Sequence, residues 1–346
     1  SGRNESFIKH KKMKRFAKII SPAVISMILI SSCNDKGTDS PFSDILEQEP
    51  YAVLTDSINN EPANDGIYFR RAVLLNSNNL PEPALEDFKK AWSLKKDERY
   101  AYGFSNLLLD KKPDSAILFL NAAIKELPNS FLLHLTLARS YDANGKTENA
   151  LELVNKILQS NPEQVDLMKM KAGLLGKKGN NPEAIAILEK AYSLTPYDIE
   201  LNYELAFKYA ESKNPRVIKL CDSLIKVDTL NLHAEPYYYK GIYFSNMNDK
   251  AKALSLFDEA LQHDYYYLNA YIEKATVLYD QKKFGDALKT VQLANTISAT
   301  FPDAYYWMGK CNEAMGNLAE AKLNYQRAFG LDDTFTEAKE AADKLK

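Results

Sequence analysis

Cysteine, tryptophan and histidine are scarce, at three, two and four residues in a chain of 346. Cysteines at 33, 221 and 311 cannot build the dense disulfide framework of a small secreted domain. His134, His233 and His263 are scattered, without the spacing of a ligand cluster, so no metal site is indicated. Glycine-rich phosphate loops, H-E-x-x-H and C-x-x-C are all missing. The run Gly173, Gly176, Gly179 falls inside a helical pattern rather than after a strand. Aspartate and glutamate are spread along helix faces, where solvated charge is their ordinary role. No catalytic set and no cofactor site emerges, which points to a binding protein rather than an enzyme. β-type alternation of useful length is absent as well.

A surplus of positive charge is missing from most of the chain. Residues 1–32 hold seven Lys or Arg against Glu5, a surplus of six, which leaves −8 on the remainder of a chain whose formal total is −2. A body that acidic is a poor fit to nucleic acid or to broad adhesion on anionic lipid.

What is present is helical periodicity that repeats. Within Pro302–Phe335 stand Tyr305, Met308, Gly309, Asn312, Gly316, Ala321, Tyr325 and Ala328, two helical patterns joined at Gly316-Asn317. The last small position recurs as Ser57, Ala91, Ala123, Ile157, Ala191, Leu224, Ala260, Ala294 and Ala328, at spacings of 32 to 36 residues. Seven residues before each lies Ala84, Ala116, Ala150, Ala184, Val217, Ala253, Ala287 or Ala321 in the eight complete units. Between these two positions come Phe88, Leu120, Val154, Leu188, Cys221, Phe257, Val291 and Tyr325. The first helices carry a small residue at Ala72, Ala138, Ala172, Ala206, Gly241, Ala275 and Gly309. The second unit fits worst, because Phe104 falls where a small residue is expected. The pattern resembles the tetratricopeptide repeat (TPR). That resemblance implies an all-α, right-handed superhelical solenoid of eight helix-turn-helix units: 65–98, 99–130, 131–164, 165–198, 199–231, 234–267, 268–301 and 302–335.

The flanks complete the organisation. Met13-Lys14-Arg15 opens a short positive region, and residues 16–30 are apolar but too short for a comfortable membrane span. Residues 30–33, Ile-Ser-Ser-Cys, resemble the lipobox of bacterial lipoproteins, which implies cleavage before Cys33 and lipidation of its thiol. A plain secretory signal or an N-terminal anchor remains the alternative. Residues 33–44 read as a flexible tether and 45–64 as a helical half-repeat containing Pro50, Leu54, Ser57 and Pro62. Residues 336–346 form a charged capping helix. Cys221 and Cys311 sit on inward helical faces, in units that do not adjoin, and read as buried thiols. Richness in Lys, Asn, Ile and Tyr, with the short lipobox, resembles envelope lipoproteins of the Bacteroidota, some of which serve secretion and surface systems.

The TPR resemblance also implies a binding face. In that family the second, fifth, ninth, twelfth and thirteenth positions of each first helix line the concave side. Carried over here, they give Phe69 and Val73, Leu135 and Arg139, Lys169 and Gly173, Tyr203 and Phe207. Tyr238 and Ile242, Ile272 and Tyr279, then Tyr306 and Lys310 continue the row. The core slots are already filled, so the aromatic members are expected to stand free for a protein or peptide partner. The Lys-with-Asn pair of the chaperone-binding carboxylate clamp is not found at Phe69/Val73, Leu135/Arg139, Lys169/Gly173 or Tyr203/Phe207, although Gly173 and Gly176 beside Lys169 and Lys177 suggest a small notch, with simple helix tolerance of glycine as the alternative. The resulting reading is an adaptor tethered by lipid at the bacterial outer membrane. An accessory subunit of an outer-membrane assembly or secretion machine is the second reading.

Overall fold

The computed structural model describes residues 41–345, apart from Asn231 and the side chain of Asp110. The signal peptide, Cys33 and residues 33–40 of the tether lie outside the described residues. Those described form nineteen helices and no strand. They group into two compact units, residues 41–162 and 163–345.

The N-terminal unit opens with α1 (Ser43–Leu46) and α2 (Ala52–Asn60). Three antiparallel pairs follow: α3 (Asp65–Ser77) with α4 (Pro81–Leu94), α5 (Glu98–Lys111) with α6 (Pro113–Glu126), and α7 (Phe131–Ala143) with α8 (Thr147–Ser160). Helix α1 starts inside the stretch assigned to the tether. Its apolar residues explain why: Phe42, Ile45 and Leu46 pack with Leu75 and Phe88, and burying such a side chain contributes about 1.5–3 kcal/mol. The half-repeat is then pinned by a buried ion pair. Arg71 donates to both carboxylate oxygens of Asp87, at 2.7 and 2.8 Å, and its remaining nitrogen donates to Thr55 on α2 at 2.8 Å.

The C-terminal unit holds five pairs and a cap. They are α9 (Val165–Lys177) with α10 (Asn181–Leu194), α11 (Ile199–Glu211) with α12 (Arg216–Val227), and α13 (Glu235–Asn246) with α14 (Lys250–His263). Next come α15 (Leu268–Asp280) with α16 (Phe284–Ile297), and α17 (Pro302–Ala314) with α18 (Leu318–Leu331). Helix α19 (Thr336–Lys344) packs on α18 and closes the unit.

The repeat register explains the core of both units. Ala84, Ala116, Ala150, Ala184, Val217, Ala253, Ala287 and Ala321 are all fully buried, and so are Ala72, Ala138, Ala172, Ala206 and Ala275 on the first helices. Between them, Leu120, Val154, Leu188, Cys221, Phe257 and Val291 have no exposed surface. Each second helix ends alike: the first amide past it donates to the carbonyl of the last small position, from Ala91 to Ala328. In the second unit the buried small residue is Ser105, not Phe104. Its turn is shorter, since Lys112 alone separates α5 from α6 where three or four residues separate the other pairs. The slot there lies one position later.

The other seven turns share one device. Asn79, Gly145, Gly179, Lys213, Asn248, Lys282 and Gly316 adopt positive φ between 58° and 83°. The residue after each donates back to a carbonyl five positions earlier, as in Asn317 to Asn312 at 2.8 Å and Lys283 to Leu278 at 3.0 Å. Asparagine and glycine enter this conformation readily, whereas Lys213 and Lys282 do so at a cost of roughly 1–2 kcal/mol. Nothing in their residue type announced them.

Glycine has a second use, against aromatic rings. The three second helices with a ring at the central core slot each meet one: Phe88 faces Gly103, Phe257 faces Gly241, and Tyr325 faces Gly309. A Cβ on Gly309 would lie 2.6 Å from Tyr325 Cδ1, and one on Gly241 would lie 2.5 Å from Phe257 Cε1. Gly309→Ala should therefore cost about 1–3 kcal/mol by overpacking, more than offsetting alanine's better helix propensity. Urea melting should show partial recovery when Tyr325→Leu is added. Equal stability of Gly309→Ala and the parent would remove the close-approach explanation.

Candidate functional site

Residues four and seven apart share a helix face, so the family's fifth, ninth and twelfth positions form one strip on each first helix. In the N-terminal unit that strip is divided. Phe69 is half-buried against Phe88 and Tyr100, with ring centroids 6.0 and 4.9 Å away. The Arg99 guanidinium lies over both Phe69 and Tyr100. Val73 and Arg139 are exposed. Leu135 is only 8% exposed, because α7 packs on α5 as well as on α6 and α8. It belongs to the core and offers no contact surface.

In the C-terminal unit Lys169 is half-buried and held by Asp198 and Glu200, at 3.4 and 3.3 Å. Gly173 has open space where a Cβ would stand, whereas the Lys208 ammonium covers Gly176. The notch is thus formed by Gly173 alone. On α11 and α13 the aromatic residues gather into one cluster. Tyr203 meets His233 and Tyr239 at 6.1 and 6.0 Å, and Phe207 meets Tyr239 at 6.0 Å. The Tyr203 hydroxyl is buried without a partner, and burial, reinforced by Glu235, pushes its pKa up.

Two members of the row do not stand free. Tyr238 is 8% exposed and Ile242 5%. Gly241 lets the Phe257 ring reach through to Tyr238 at 6.0 Å, and Tyr267, just before α15, covers it at 5.0 Å. The same contact recurs as Phe69–Phe88 and Tyr306–Tyr325, the latter at 5.5 Å. Phe69, Tyr238 and Tyr306 are thus a second layer on the aromatic core slots.

The remaining residues converge at α15 and α17. Ile272 and Tyr279 are half-buried on α15, and Tyr306 and Lys310 are half-buried on α17. Tyr279 packs on Trp307 at 5.7 Å, and Tyr306 on Phe335 at 4.9 Å. The Lys310 ammonium sits 4.3 Å from the Trp307 ring centre, 5.2 Å from Tyr279 and 5.8 Å from Tyr306. Burial lowers the Lys310 pKa, against the opposite pull of Asp280, Cys311 and Glu313. Sequence reasoning missed Tyr239 and Trp307, each one residue past a fifth position. The runs Tyr237-Tyr238-Tyr239 and Tyr305-Tyr306-Trp307 were the available signal.

Residues 302–335 match the family model described as tetratricopeptide repeat. A solved tetratricopeptide repeat protein from Parabacteroides merdae superposes with a TM-score of 0.59 at 18% identity, over 70% of this chain and 96% of that one. A tetratricopeptide repeat is thus matched by sequence over residues 302–335. The fold of the chain is that of an all-α TPR solenoid. Residues 119–217 also match the model for the auxiliary subunit of N-terminal acetyltransferase A. Tetratricopeptide repeat protein 1 of Schizosaccharomyces pombe is 26% identical over 202 residues, 54% of this chain and 19% of the relative. Anaphase-promoting complex subunit 7 of Arabidopsis thaliana is 26% identical over 201 residues, 56% of this chain and 36% of the relative. The TPR chain thus spans about a fifth to a third of these relatives' length.

Proposed function

We propose that this TPR protein is an adaptor in the bacterial cell envelope, tethered by lipid on Cys33 at the outer membrane. It binds a protein or peptide partner along the first-helix face of its C-terminal unit. One observation carries the partner face: Tyr203, Phe207, Ile272, Tyr279 and Tyr306 keep exposed surface on three first helices, α11, α15 and α17, although the core beneath is complete. Partly exposed aromatic anchors of this kind are the residues that dominate protein interfaces. The anchor rests on the basic, apolar and Ser-Ser-Cys order of residues 13–33.

A second reading, a permanent accessory subunit of an outer-membrane assembly or secretion complex, draws on the names of a similar family and a similar protein. One is an auxiliary subunit and the other a subunit of a complex. The tether is tested by Cys33→Ser in cells. The variant should escape cleavage at this site and lose the lipid, read by mass and by membrane fractionation. A variant processed and fractionating like the parent would eliminate lipid anchoring.

A further inference from the structure

The cluster around Lys310 has several donors and no anionic acceptor bonded to them. Lys310 Nζ, the Tyr279 and Tyr306 hydroxyls and Trp307 Nε1 all lie on one face of α15 and α17. None of them donates to a protein acceptor among the described residues, and none is sealed from solvent. The carboxylates flanking this lysine are engaged elsewhere. Asp280 pairs with Lys250 at 3.8 Å, and Glu313 accepts the Tyr325 hydroxyl at 2.6 Å. The ammonium is therefore held among three rings with its charge uncompensated by any ion pair.

We propose that the partner segment is acidic, and that one of its Asp or Glu side-chain carboxylates docks on Lys310 between Tyr279, Tyr306 and Trp307. This rests on the partner-face reading and adds the chemistry of the occupant. A basic segment would bring like charge to Lys310. A purely apolar one would strip water from four donors and give them nothing to bond, which is costly. A carboxylate accepts from several donors at once, and next to rings that exclude water its attraction to the ammonium is stronger than at an open surface. An apolar side chain beside the carboxylate would lie on the Trp307 and Tyr306 rings.

The test selects binders to the immobilised full-length chain from a random peptide library with free C-termini. Recovered peptides should carry an essential Asp or Glu, whereas binding that depends only on the free C-terminal carboxylate would overturn the side-chain assignment. Their affinity should fall roughly tenfold or more for Lys310→Met, which keeps the apolar stem among the rings, and less for Lys310→Arg, which keeps the charge. Melting of both variants would exclude unfolding as the cause. The Trp307 fluorescence of a Trp92→Phe background should change on binding. Peptides that bind Lys310→Met as tightly as the parent, or that are basic or uncharged, would overturn the acidic-partner inference while leaving the partner face intact. Failure to recover any binder weakened by Tyr203→Ala or Tyr279→Ala would overturn the partner face, and this inference with it.

Discussion

Phe257→Ala is expected to destabilise the C-terminal unit by about 3–5 kcal/mol, the range for deleting a large buried ring and leaving its cavity. Phe257 has no exposed surface and fills the space opened by Gly241. Tyr238→Ala should fall in the same range, since its ring continues that layer between Phe257 and Tyr267 and is buried almost as deeply. Tyr279→Ala should cost much less, because that ring is half-buried. Urea melting of the three variants orders them, and amide exchange locates the loss. Repeat units touch mainly their neighbours, so protection should fall first in α13 to α15. A Tyr238→Ala protein as stable as Tyr279→Ala would return Tyr238 to the free face.

Asp87→Ala should be comparably severe in the N-terminal unit, at about 3–5 kcal/mol, because it leaves the Arg71 guanidinium buried without its counter-charge. Both side chains are almost fully buried, and the pair also holds Thr55 on α2. Burial pushes the Asp87 carboxyl up while Arg71 pulls it down, so the carboxylate depends on its partner. Replacing both members, as Arg71→Met with Asp87→Leu, should restore most of the loss, since a matched apolar pair has no charge to desolvate. Amide exchange should show α2 released in the single variant and retained in the double one. A double variant no better than Asp87→Ala would mean that the bidentate geometry itself holds α2.

Much of this was legible in the sequence because the repeat imposes one steric rule many times. Where two helices touch at a small residue, alanine or glycine must recur at fixed spacing, and Ala84 to Ala321 are buried as that rule requires. Phe104 was misjudged for a local reason: the one-residue turn at Lys112 goes with a slot moved to Ser105 without changing composition. The burial of Tyr238 was not legible from its own helix. It depends on Gly241 admitting Phe257 and on Tyr267 arriving from the next unit, a three-element coincidence that position counting does not contain. The Lys310 cluster was half visible. Tyr279, Tyr306 and Lys310 follow from position, but Trp307 joins them through its size and reach. The Ser-Ser-Cys signal lies outside the described residues and rests on sequence alone.

The central claim is that partners dock on the first-helix face of the C-terminal unit. Photo-crosslinking in living cells tests it most directly, with a benzophenone amino acid placed singly at Tyr203 or Tyr279 on first helices, and at Leu293 or Leu323 on second helices. All four positions retain exposed surface, so access alone does not separate them. One discrete partner band at Tyr203 and Tyr279, absent at Leu293 and Leu323, is the predicted result. The same band at all four positions, or only at Leu293 and Leu323, would contradict it.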